Sequence, residues 1–147
     1  MIDRTSALGL LTFGDEYATA AAMLRQRDRH YVNAPLFYLY AHALELHLKA
    51  FLRARNFTLA QLKTLGHDLS ALLTEARQRG LASHVLLTPE QVAAITAVNV
   101  YYHEKELEYI VTGIKHFPPP DLLAAAAGAL YSGLESVCYQ HMQAQRK

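Results

Sequence analysis

Pro35-Leu-Phe-Tyr-Leu-Tyr40-Ala-His-Ala-Leu-Glu45-Leu-His-Leu-Lys-Ala50-Phe-Leu-Arg-Ala-Arg55 is the stretch that decides how the rest of this chain is read. Proline is tolerated in the first turn of a helix, where its missing N–H has no partner to lose, and no helix breaker follows before Arg55. Wound at 100° per residue, Phe37, Ala41, Leu44, Leu48, Phe51 and Leu52 fall on one side. Leu36, Leu39, Ala43, Leu46 and Ala50 fill the adjoining faces. Only a narrow strip of Tyr38, His42, Glu45, Lys49 and Arg53 is polar. A helix apolar over so much of its circumference needs neighbours on several sides, so this one is expected at the centre of an all-α domain.

Outward from it, the flanking sequence supplies helices of the ordinary amphipathic kind. Residues 1–12 are expected as a lightly anchored arm and 13–147 as a single domain. Phe13, Tyr17, Ala20, Ala21 and Leu24 recur at helical spacing up to about Arg27, and the basic run Arg25, Arg27, Arg29 and His30 reads as a solvated helix end. On the C-terminal side, Thr58 with Gln61 forms a capping box, and Asp68 is placed to cap a helix that turns Leu69, Leu72, Leu73 and Ala76 inward. Thr88-Pro89-Glu90-Gln91 is a third helix start, carrying Val92, Ile95, Val98 and Tyr102 toward the core. Residues 109–113 are ambiguous between frayed helix and extended chain, and Pro118-Pro119-Pro120 forbids helix. Asp121 is expected to cap a last helix with Leu123, Ala127, Leu130, Leu134, Val137 and His141 in one stripe. The sum is an up-and-down bundle of about five helices.

Composition agrees with one compact domain: 147 residues, 52% hydrophobic and 18% charged. A formal net charge of +1 gives no global attraction to nucleic acid, so any such binding needs a local patch. The single cysteine, Cys138, excludes an internal disulfide and fits a reducing compartment. The N-terminus lacks a signal-peptide layout and no apolar run reaches spanning length, which makes a cytoplasmic protein without membrane association the expectation.

Ala43-Leu44-Glu45-Leu46-His47-Leu48-Lys49-Ala50-Phe51-Leu52, then Gly66-His67-Asp68-Leu69 and Leu72-Leu73, resembles the core signature of the HEPN superfamily, small helical proteins common in prokaryotic toxin–antitoxin and defence systems. Glu106-Leu107-Glu108-Tyr109, Gly113, Phe117-Pro118 and the Leu/Ala-rich ending resemble the family's C-terminal half. The resemblance covers roughly residues 13 to 140 and implies a HEPN-like fold. It also implies a homodimer, a nucleotidyltransferase or antitoxin partner, and RNA or nucleotide as ligand. Ala124–Gly128 offers a small-residue stretch for close backbone approach. The family's ribonucleases carry an Arg followed after four to six residues by His. At the corresponding place this chain has Val98-Asn99-Val100-Tyr101-Tyr102-His103, so valine stands where the resemblance requires arginine.

Valine can neither hold a scissile phosphate nor stabilise the charge that develops on it. His103 retains the capacity for acid–base chemistry. With Asn99 one turn away, it marks the remnant of the motif, and Lys105, Tyr101 and Tyr102 are its accessories. Two readings of function stay open: a binding module with a degenerate motif, or a metal-independent endoribonuclease using His103. A helical interaction scaffold is the plainer alternative.

On the central helix, Glu45 and Lys49 stand at the favourable i, i+4 spacing of an ion pair, with His42 on the same face as a further binding candidate. His42 and Glu45 have no second His/Glu cluster to complete a metal site, and none is expected. His67, beside the Asp68 cap, reads as hydrogen-bonded structure. No nucleophile elbow, phosphate loop or cofactor motif is present, and no cofactor is expected.

Overall fold

The computed structural model describes residues 4–27, 33–108 and 113–146. These form six α-helices: α1 (Ala7–Arg27), α2 (Asn33–Ala54), α3 (Leu59–Leu65), α4 (Leu69–Gln78), α5 (Pro89–His103) and α6 (Pro120–Gln145). A single 3-10 turn, Leu81–Ser83, lies between α4 and α5, and no strand occurs among the described residues. The fold is all-α, six helices among the described residues against about five expected, with the Thr58 and Asp68 caps each opening a helix of its own, α3 and α4.

The apolar circumference of α2 has the consequence expected of it. Leu36, Phe37, Ala41, Leu44, Leu48, Phe51 and Leu52 are buried, and α2 packs against each of the other five helices. Both capping boxes form: the Thr58 and Thr88 hydroxyls accept from the Gln61 and Gln91 N–H, and each glutamine side chain accepts from the cap N–H in return. Asp68 caps α4 by accepting from the Ser70 and Ala71 N–H, and Leu69, Leu72, Leu73 and Ala76 are all buried.

Three expectations need correction. The first helix starts at Ala7, two turns before the expected arm ends, because Ala7 and Leu11 are fully buried and Ser6 caps it by accepting from the Gly9 N–H. That extension rotates the buried stripe to Ala7, Leu11, Gly14 and Ala21, and leaves Phe13 and Ala20 exposed. Asp121 does not cap α6; it lies in the first turn, after Pro119, and forms an ion pair with Arg25. Finally, α6 is long and apolar enough to cross a membrane by length and composition alone. Its Leu123, Leu130, Leu134 and Cys138 stripe is instead buried in the bundle, against α1 and α2. The ambiguous segment at 109–112 and the basic residues Arg29 and His30 lie outside the described residues.

Candidate functional site

The polar strip of α2 is enclosed rather than solvated. Glu45 is 3% exposed, and its carboxylate is the hub of a network joining α2, the 66–68 link and α5. Lys49 Nζ donates to Oε2 at 2.8 Å. On Oε1 the Tyr102 hydroxyl sits at 2.5 Å and His67 Nδ1 at 2.8 Å. An ionised carboxylate only accepts hydrogen bonds, so Tyr102 and His67 must both be donors to it. With its one proton directed at Glu45, the Tyr102 oxygen accepts from His42 Nδ1 at 2.9 Å. The geometry thereby turns the Nδ1–H of both histidines inward, and in the neutral form of each ring Nε2 is bare.

Burial by itself would push the Glu45 carboxyl up. The hydrogen bonds from Lys49, Tyr102 and His67 more than offset that and hold it below the ordinary carboxylate value. Burial lowers His42 despite the nearby Glu45 charge, and burial together with that charge pushes the Tyr102 phenol up. At neutral pH the site therefore holds an ionised Glu45–Lys49 pair, a neutral phenol and a neutral His42. Tyr38 stacks on the His42 ring at 5.5 Å and Tyr17 meets it edge-on at 4.5 Å.

The proposed remnant motif on α5 is divided by the fold. Val98 is fully buried in the core. Asn99 is 8% exposed and does not share a cleft with His103. Its carboxamide oxygen accepts from the Leu69 N–H at 2.8 Å, and its amide donates to Asp68 Oδ1 at 3.0 Å and Ser70 Oγ at 3.3 Å. It is a clamp on the start of α4. Tyr101 accepts from the His116 N–H at 2.6 Å and packs on Phe117, which stacks on Phe37, so it tethers the segment before α6. Lys105 is exposed, in the left-handed region at φ 60°. His103 is exposed and makes no hydrogen bond among the described residues; its charge contributes to holding Asp68 below the ordinary carboxylate value.

Of the residues proposed from sequence, Glu45, Lys49, His42 and Tyr102 come together, while Asn99, Tyr101, Lys105 and His103 do not join them. The residue missed was His67. Its place in the Gly66-His67-Asp68-Leu69 stretch was the available signal, but spacing along the chain cannot reveal a partner 22 residues away. No family model matches this chain, and no characterised protein or solved structure does either.

Proposed function

We propose that this chain is a HEPN-like helical module of a toxin–antitoxin or defence system, that it acts by binding, and that its ligand is a protein partner of the nucleotidyltransferase or antitoxin kind. One observation carries this reading: at the motif position every polar group except His103 is already used by the fold. Val98 is core, Asn99 clamps α4, and Tyr101 and Tyr102 hold other elements.

The charge left at the end of α5 favours a protein over RNA. Glu104, Glu106 and Glu108 stand there against Lys105 alone, three carboxylates to one ammonium, formally −2 with His103 neutral. Such a surface repels phosphate, whereas RNA binding draws on clustered Lys and Arg. Without a guanidinium beside His103, cleavage by the family mechanism loses its main electrostatic stabilisation, a deficit of about two to three powers of ten or more.

Homodimerisation accompanies the reading. Between α1 and α6 runs a groove lined by Ala18, Ala22, Ala124, Ala127 and Gly128 together with Asp15, Thr19 and Tyr40. Its small side chains admit close approach of another helix. Light scattering at micromolar concentration is expected to give twice 16.4 kDa.

The test of function is co-expression with the product of the neighbouring reading frame, together with incubation on mixed RNA without divalent metal. Stable co-purification and no cleavage above buffer are expected. Robust RNA cleavage that disappears in His103→Ala would overturn the reading in favour of an active ribonuclease.

A further inference from the structure

The hydrogen-bond directions in the Glu45 network all run inward. Lys49, Tyr102 and His67 donate to Glu45, and His42 donates to Tyr102. What remains to meet a ligand is therefore acceptor-rich: the bare Nε2 atoms of His42 and His67, neither with a hydrogen-bond partner among the described residues. The His67 side chain is 45% exposed and that of His42 19%. Beside them lie the rings of Tyr17 and Tyr38, whose faces carry negative quadrupole charge. Within the network the charges of Glu45 and Lys49 cancel. The exposed Glu108 carboxylate, close enough to act electrostatically on Tyr38, His42 and Tyr102, leaves the neighbourhood net negative.

We propose that this face, made by His67, His42, Tyr38 and Glu108, is where the partner protein docks, and that it receives an arginine side chain of that partner. The proposal rests on the binding-module reading and specifies its surface. Acceptor nitrogens, an aromatic face and a carboxylate complement a planar, donor-rich cation. Guanidinium offers five N–H groups and a stacking face together, whereas ammonium offers a point charge. Maintaining an ionised carboxylate on a buried, largely apolar helix is costly compared with apolar packing. Here it holds an imidazole at the surface in one orientation and one tautomer.

The sign of the pH dependence separates this site from an anion site. The groups facing it are Tyr17 on α1, Tyr38, His42, Glu45 and Lys49 on α2, His67 on the link, Tyr102 on α5, and Glu108. Of these only the histidines gain charge between mildly alkaline and mildly acidic pH. Protonation at Nε2 turns an acceptor into a cationic donor, so arginine binding must weaken with acid and anion binding must strengthen.

The experiment is a titration of the full chain, with 15N-labelled imidazoles, against the peptide acetyl-Gly-Arg-Gly-amide, followed by NMR. A saturable shift of His67 Nε2 is expected at about pH 8, lost near pH 5.5. The same peptide with norleucine for arginine should leave the resonance unmoved. Glu108→Gln, at an exposed position that leaves the core intact, should weaken binding about two- to fivefold. A shift that does not saturate, indifference to Glu108→Gln, or preferential binding of AMP that tightens at the lower pH would each overturn the proposal. The titration uses no partner, so a failed co-purification would sink the partner reading without touching this result, and a failed titration would sink the docking site alone.

Discussion

Glu45 and His47 stand two residues apart on the same helix, and the fold treats them in opposite ways. Both are almost completely removed from solvent. Glu45 is met by three donors from three parts of the chain. His47 has no hydrogen-bond partner at either ring nitrogen among the described residues, and it packs instead against Gly14 and the Tyr131 ring. Both groups titrate below their ordinary values, for different reasons. Hydrogen bonds hold Glu45 down against the effect of burial, whereas burial alone lowers His47 to about 4. A buried group with partners is kept charged, and one without them is kept neutral.

The sharpest way to break this contrast is to remove the hub. Glu45→Ala would leave a Lys49 ammonium, a Tyr102 hydroxyl and an inward His67 N–H without their acceptor, and a loss of about 3–5 kcal/mol in urea unfolding is expected. Glu45→Gln keeps an acceptor at one of the two oxygen positions, puts an NH2 donor at the other and cancels the charge, and should lose less. If the alanine variant unfolds at the same urea concentration as wild type, the network contributes nothing to stability and the contrast is empty.

His47 gives the second largest effect, visible in pH. Its folded value of about 4 lies below the ordinary 6.5. Between those values the unfolded chain takes up a proton that the folded chain refuses. Stability is therefore full above about 6.5 and falls by about 3 kcal/mol as the pH drops to 4. Glu45, lowered from 4.5, contributes stability that is lost only below that value, so the two residues act in separate pH windows. His47→Leu should flatten the upper window while leaving the lower one in place. The packing side of the same contrast is Gly14, where an added Cβ would lie 2.5 Å from His47 Cδ2. Gly14→Ala is expected to destabilise by about 1–3 kcal/mol, and less in a His47→Ala background; equal losses in the two backgrounds would show that this contact is not the cause.

The same two residues mark what the sequence could reveal. The burial of Leu44, Leu48 and Phe51 follows from a 3.6-residue period, and the caps at Thr58, Asp68 and Thr88 follow from interactions three residues long, so both were legible. The pairing of Glu45 with Lys49 was legible for the same local reason. Nothing local distinguishes His47, which sits in an apolar run, from His67, which sits beside a cap. Their fates depend on Gly14 and Tyr131 in one case and on Glu45 in the other, contacts made only when distant helices meet. Asn99 follows the same logic: its spacing to His103 is one helical turn, but its partners belong to the start of α4.

Asn99 and His103 extend the contrast to α5 with smaller effects, again setting a residue held by partners against one without them. Asn99→Ala would remove the acceptor of the Leu69 N–H and one donor to Asp68, and a loss of about 1–3 kcal/mol is expected because the amide at Leu69 is buried. His103→Ala should change stability by no more than about 0.5 kcal/mol, since the side chain is exposed and makes no hydrogen bond among the described residues. Among the described residues it acts electrostatically on Asp68. Removing that cation lets the Asp68 carboxyl rise toward its ordinary value, a change readable by carboxyl NMR even where unfolding curves coincide. The pair of measurements decides what the end of α5 is for. A large stability loss in His103→Ala would make the residue part of the fold. An unchanged stability with weakened co-purification of the neighbouring gene product would assign it to the binding surface. If stability and co-purification are both unchanged, the end of α5 is not the docking end, and the binding module must use another face.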